Sequence, residues 1–143
     1  MFNRITSCTL LLAAVVLLSS CKYEEGPVAS LQSREKRVTS VWEVAYATDE
    51  EGEEVTEQYE SWEFAFEEEG EAELSYRAGG VDFNFDGEWN LVDDDERFQL
   101  IVQDPLNLFS SDREYTIERL TRNEFWLRDT EDTDRVIQLS SNL

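Results

Sequence analysis

The residues of this chain best able to do chemistry are its carboxylates. Of 143 residues, 33 are Asp or Glu against 12 Lys or Arg, giving a formal charge of −21, and histidine is absent. Without imidazole there is no Ser-His-Asp or Cys-His nucleophile and no histidine zinc site, and the most common general base is missing. The charge excludes nucleic acid as a partner, because a polyphosphate needs a basic footprint. A pair of carboxylates can hydrolyse a glycoside unaided. With 33 acids, however, some pair falls at any chosen separation, so such pairing has no specificity. No glycine-rich phosphate loop, nucleophile elbow or activated lysine is evident, and the expectation is a protein without enzymatic activity.

One acidic stretch has ligand spacing. From Asp82 to Asp93, oxygen donors stand at positions one, three, five, nine and twelve (Asp82, Asn84, Asp86, Asn90, Asp93), with Gly87 at six. This nearly fits an EF-hand loop, with Asp in place of Glu at twelve, and hard oxygens suit calcium. Against it, Phe83 and Phe85 alternate as strand residues do, and a strand spreads ligands roughly 6–7 Å apart. A calcium-stabilised module is therefore one of three readings; otherwise no cofactor is implied.

At the N-terminus, Arg4 precedes the ten-residue apolar run Thr9–Leu18. A bilayer span needs about twenty apolar residues, so this run suits the core of a signal peptide. Leu18-Ser19-Ser20-Cys21 follows and resembles a bacterial lipobox, in which the cysteine is acylated and becomes the first mature residue. Residues 1–20 are thus expected to be removed and Cys21 to carry lipid. Cys8 leaves with the signal, so the mature chain has no disulfide or thiolate site. Lys22-Tyr23-Glu24-Glu25 is similar to the surface-export signal of Bacteroidetes lipoproteins, interrupted by Tyr23. The expected location is the outer membrane, on its periplasmic or its exposed face.

Charge divides the mature chain into three. Residues 22–48 balance four acids with four bases, 49–96 carry twenty acids and only Arg77, and 97–143 carry nine acids and six arginines. Gly26, Pro27 and the absence of apolar periodicity make residues 21–37 a lipidated tether, leaving 38–143 as the domain. Few lysines and many acids also resemble salt-adapted proteins, in which about 1 M salt shortens the Debye length to about 3 Å.

From residue 38 onward the apolar period is two. Trp42, Val44 and Tyr46 alternate with polar residues, as do Trp62, Phe64 and Phe66, then Ala72, Leu74 and Tyr76. The pattern continues through Val81, Phe83 and Phe85, then Trp89 and Leu91, then Phe98, Leu100 and Val102. Tyr115 with Ile117, Phe125 with Leu127 and Ile137 with Leu139 complete it. This predicts strands with one dry and one wet face. Turn residues part them at 68–70, 78–80, 93–95 and 121–123. The fold class is all-β: an antiparallel up-and-down meander of eight to nine strands, closed into a barrel or half-barrel that hides its edges.

Several short segments then resemble the small lipocalin-like lipoproteins of Bacteroidetes. They are Val41-Trp42-Glu43-Val44, Val55-Thr56-Glu57-Gln58-Tyr59, Trp62 to Phe66 with Gly70, Gly87-Glu88-Trp89-Asn90-Leu91, and Tyr115 to Thr121 leading to Phe125-Trp126-Leu127. The resemblance covers about residues 38–140 and implies a lipocalin-like barrel. It departs from true lipocalins in having Ser40 where they have glycine before the first tryptophan. It also implies a late arginine stacked on Trp42, either Arg128 or Arg135.

A barrel of eight strands is either filled by its own side chains or holds one small ligand. Twenty-three inward candidates include twelve aromatics. The first functional reading is a membrane-anchored, non-enzymatic protein with a small apolar ligand at the barrel mouth, among Trp42, Tyr46, Trp62, Tyr76, Trp89 and Tyr115. The second is a structural or accessory protein with a filled core and an acidic surface facing a partner.

Overall fold

The computed structural model describes residues 32–102 and 112–142. The expected signal peptide, Cys21, the Lys22–Glu25 segment and residues 103–111 lie outside the described residues. Leu31–Leu143 forms one compact unit. Among the described residues, no helix is long and apolar enough to cross a membrane.

A short helix, α1 (Arg34–Val38), precedes eight strands: β1 (Ser40–Ala47), β2 (Glu63–Phe66), β3 (Glu71–Ala78), β4 (Val81–Val92), β5 (Arg97–Val102), β6 (Arg113–Leu120), β7 (Glu124–Asp129) and β8 (Val136–Ser140). Each strand pairs antiparallel with the next, and β1 pairs with β8, so the barrel is closed. The alternating pattern therefore yields the meander it predicts.

The turns follow from their residues. Gly79 and Gly80, at φ +59° and +79°, join β3 to β4 in the left-handed conformation a two-residue hairpin requires. Asp93, Asp94 and Asp95 all take positive φ between β4 and β5, a region Asp tolerates better than most residues.

Two β-bulges change which side chains face inward. In β1 the register with β8 shifts between Val44 and Tyr46, so Tyr46 stands opposite Gln138 and Ala47 opposite the buried Ile137. In β6 a shift between Ile117 and Arg119 turns Leu120 inward and sets Arg119 opposite Trp126. Strict alternation from Tyr115 and Ile117 would have aimed Arg119 at the core. The bulge instead lays its guanidinium 5.1 Å from the Trp126 ring centroid.

The ends of the barrel differ. At one end α1 covers the opening: Ser33 caps it, accepting from the Lys36 N–H at 3.2 Å, and Val38 is fully buried. Residues 34–37 thus lie in the same compact unit as the barrel. Below the helix lies Trp42, fully buried, its Nε1–H donating to the Val38 carbonyl at 2.8 Å and its ring 5.6 Å from Phe125. Phe66, Phe98 and Phe125 meet edge to face with centroids 5.1–6.3 Å apart, and Trp89 packs on Phe66 and Phe98. This half of the interior is filled by rings in favourable geometry.

Two glycines are fixed by closeness. A Cβ on Gly87 would lie 2.6 Å from the Ile101 carbonyl oxygen and 2.8 Å from Val102 Cγ2. Gly87→Ala is expected to force β4 and β5 apart and cost about 1–3 kcal/mol, measured as a drop in the urea midpoint. Gly70, at φ +85°, meets the Trp89 carbonyl oxygen in the same way at 2.8 Å.

Candidate functional site

The opposite end is bounded by the β1–β2, β3–β4 and β7–β8 connections. Trp62 enters β2 there, and the β3–β4 hairpin rises beside it. Because Leu74 faces Phe85 and Tyr76 faces Phe83 across the hairpin, their side chains share the barrel's inner face. The result is a run of parallel rings: Trp62 on Tyr76 at 4.5 Å and 15°, then Tyr76 on Phe83 at 5.0 Å and 14°. Tyr59 leans on Trp62 at 5.9 Å, and Phe85 stacks on Tyr76 at the same separation. Exposure rises outward along this run. Trp62 is buried, Tyr76 half-buried, Phe83 39% exposed and Val81 at the tip 55% exposed. The hairpin is braced from its outer side, where Arg77 donates to both Asp82 carboxylate oxygens at 2.6 and 3.0 Å.

The structure brings together only part of the set read from the sequence. Trp62 and Tyr76 are at this mouth. Trp42 and Trp89 are not; both lie in the packed half beneath α1, where the Trp89 Nε1–H donates to the Glu67 carbonyl at 3.0 Å. Tyr46 is removed from the inner face by the β1 bulge. Tyr115 is inward but 1% exposed, with Phe98 and Asp129 as its strand partners. Burial and the Asp129 charge push its phenol pKa up, so it stays neutral at ordinary pH. Tyr59, Val81, Phe83 and Phe85 complete the mouth. The alternation had marked the last three as inward, yet nothing in it says which inward residues lie at a rim.

The calcium reading is overturned by strand geometry. Residues 82–92 belong to the continuous strand β4, and Asp82 is held by Arg77. Eleven residues separate Asp82 from Asp93, about 35 Å along a strand, so the two cannot share an ion. Among the described residues, no three acidic side chains converge as metal ligands. The late arginine is also corrected. Arg128 bonds to Glu118 and the Thr133 carbonyl, and Arg135 to Glu50. Neither lies on Trp42.

A buried ion pair near the mouth has no signature in the sequence. Asp129, 1% exposed, accepts from Arg113 and from the backbone N–H groups of Glu131 and Asp132 at 2.8 and 3.1 Å. Burial works to raise its carboxyl pKa. The Asp132 N–H, Arg113 and the Glu131 N–H outweigh burial and hold it below the ordinary value.

Outside the barrel, Glu67, Glu71, Glu73, Asp86 and Glu88 line a depression of about 330 Å³. Glu71 stands directly opposite Glu88, and Glu73 opposite Asp86. Like charges so paired repel, and salt screens them. Raising NaCl toward 1 M is expected to raise the melting temperature, and Glu73→Lys to raise it at low salt only. A melting temperature indifferent to both changes would show that the face carries no strain.

No protein-family model matches the sequence, and no curated protein matches it. Solved structures do. A lipocalin-like protein from Bacteroides uniformis superposes with a TM-score of 0.59 at 11% identity, covering 73% of this chain and 98% of its own. An uncharacterized protein from Bacteroides eggerthii gives 0.57 at 15% identity, covering 72% and 98%. The architecture is therefore a closed, eight-stranded lipocalin-like barrel. Its sealed end is defined by α1 and Trp42, and its open end by the ring stack of Trp62, Tyr76 and Phe83.

Proposed function

We propose that this chain is a non-enzymatic lipoprotein of the outer membrane, anchored through Cys21, that binds a small, flat apolar ligand at the barrel mouth. The observation that carries the binding reading is the exposure of Phe83 and Val81. They continue an otherwise buried inner face into solvent, on top of rings already stacked in parallel. A planar hydrocarbon laid against Phe83 extends that stack and buries the hairpin tip. The filled half below keeps the ligand at the rim. The lipocalin-like fold supports a binding role, and the lipobox-like Leu18–Cys21 segment supports the anchor.

Trp62 reports on the site, since Trp42 and Trp89 are packed at the far end and Trp126 is on the outer face. Titrating the protein with a planar apolar fluorophore is expected to quench Trp62, with Trp62→Phe removing the signal. Val81→Asp, which places a charge at the rim without touching the core, is expected to weaken binding at least tenfold. Equal affinity for the wild type and Val81→Asp would sink the mouth as the site.

A second reading rests on the acidic face. Two like-charged strand pairs with no base between them are what a cationic partner would relieve. An accessory protein of that kind binds a basic peptide in a salt-sensitive way, and Glu71→Gln with Glu73→Gln weakens it while ligand quenching at the mouth is unchanged.

A further inference from the structure

The chain has few bases, and they are not distributed like the acids. Among the described residues, Arg77, Arg97, Arg113, Arg119, Arg128 and Arg135 are each ion-paired with a carboxylate. The other four, Arg34, Lys36, Arg37 and Arg122, have no carboxylate partner. All four are at the sealed end, three on α1 and one in the β6–β7 turn. Arg34 and Arg37 donate to the backbone carbonyls of Asp95 and Leu120, at 2.7 and 2.9 Å, which leaves their charges uncompensated. Three of these bases, Lys36, Arg37 and Arg122, are gathered beside one another, and with 33 acids in the chain their lack of a carboxylate partner points to an anion from outside it.

There is a place for one. Lys36, Arg37 and Arg122 line a depression of about 240 Å³, with Glu68 as its one carboxylate and Thr39 and Ser40 also in its wall. Arg37 directs its Nη1 to the Leu120 carbonyl and gains no carboxylate, so its charge is available to an anion in the depression. Gln32, where the described chain begins, lines the same depression. Cys21 stands eleven residues earlier, within at most about 40 Å of extended chain. An anchor there keeps this end within reach of headgroups, while the acidic flank beside it, which includes Glu35, Glu69 and Asp95, restricts contact to this side of the end.

We propose that this depression receives the phosphate of an anionic lipid headgroup, so that the sealed end of the barrel docks on the membrane and the mouth points away from it. The proposal rests on the lipid-anchor reading above and is independent of any ligand at the mouth. Each base held near an anionic surface strengthens attraction about fivefold, and salt weakens it.

The chain has two lysines, Lys22 and Lys36, so amine-reactive labelling read by mass spectrometry follows Lys36 directly, normalised to the amount of protein recovered. The full lipidated protein is reconstituted in vesicles of phosphatidylcholine alone or with about one-third phosphatidylglycerol. Lys36 labelling is expected to fall about fivefold on the anionic vesicles, to recover in 0.5 M NaCl, and not to fall in Arg122→Glu. Equal Lys36 labelling on both vesicle types overturns the docking, as does protection that survives Arg122→Glu. The same protection from 10 mM inorganic phosphate on phosphatidylcholine vesicles makes this a soluble-phosphate site and also overturns it. Flotation separates the two readings: protein that fails to float with either vesicle refutes the anchor, whereas floating protein with equal labelling refutes the docking alone.

Discussion

Replacing Trp42 by alanine is expected to remove about 3–5 kcal/mol of stability, the usual cost of deleting a large buried ring. The side chain is fully buried, packs at a tilt against Phe125 and donates to the Val38 carbonyl, so one substitution opens a cavity and unlatches α1. Against a typical total of about 5–15 kcal/mol, the sealed end should lose its cooperative packing. Urea unfolding followed by near-ultraviolet circular dichroism measures this. Trp42→Phe keeps an aromatic ring but loses the Nε1–H bond and part of the indole's volume, so its cost should be smaller than that of alanine, about 2–3 kcal/mol. A loss below about 1 kcal/mol for the alanine variant would mean that α1 does not seal the barrel through this residue.

Asp129 should be nearly as sensitive. Removing one member of a buried ion pair costs about 3–5 kcal/mol, because the remaining groups keep their desolvation penalty. In Asp129→Ala two backbone N–H groups lose their acceptor, and Arg113 loses the Asp129 carboxylate. Asp129→Asn retains an oxygen for the N–H groups and should cost less. The pH dependence has a definite sign. The folded carboxyl titrates below its unfolded value of about 3.9, so its stabilisation is complete above that pH and fades as pH falls through the lower folded value. The gap in stability between the wild type and Asp129→Asn should therefore narrow from pH 5 down to pH 2. A gap that stays constant over that range would remove Asp129 from the acid response.

The period of two carried most of the architecture. From Trp62 to Val102 each apolar position assigned to the inner face lies there, because burial on one side of a pleated strand leaves no other solution. The bulges were not legible. In Val44-Ala45-Tyr46-Ala47, either Tyr46 or Ala47 can face inward without exposing a large apolar surface or burying a charge, so the pattern does not choose between them. Arg119 offered a hint, since unbroken alternation from Tyr115 aims a charge at the core. Five residues of α1 were hidden because one turn and a half of helix is too short to show a period. That omission also misplaced the mouth. Alternation tells inside from outside but not one end of a barrel from the other, and it was α1 that fixed Trp42 and Trp89 at the sealed end. Arg113 and Asp129 have no signature in the pattern because each sits at the end of a strand, where burial depends on what folds over it.

Glu43 lies opposite Ser140 across the seam that joins the first strand to the last. Those residues are nearly a hundred positions apart, so the ring of hydrogen bonds cannot be completed until the final strand has left the ribosome. Until then β1 has only β2 to pair with, and the partial sheet must pay the entropy of the longest loop before it gains the seam. The closed shape is therefore committed last, by the strand that emerges last.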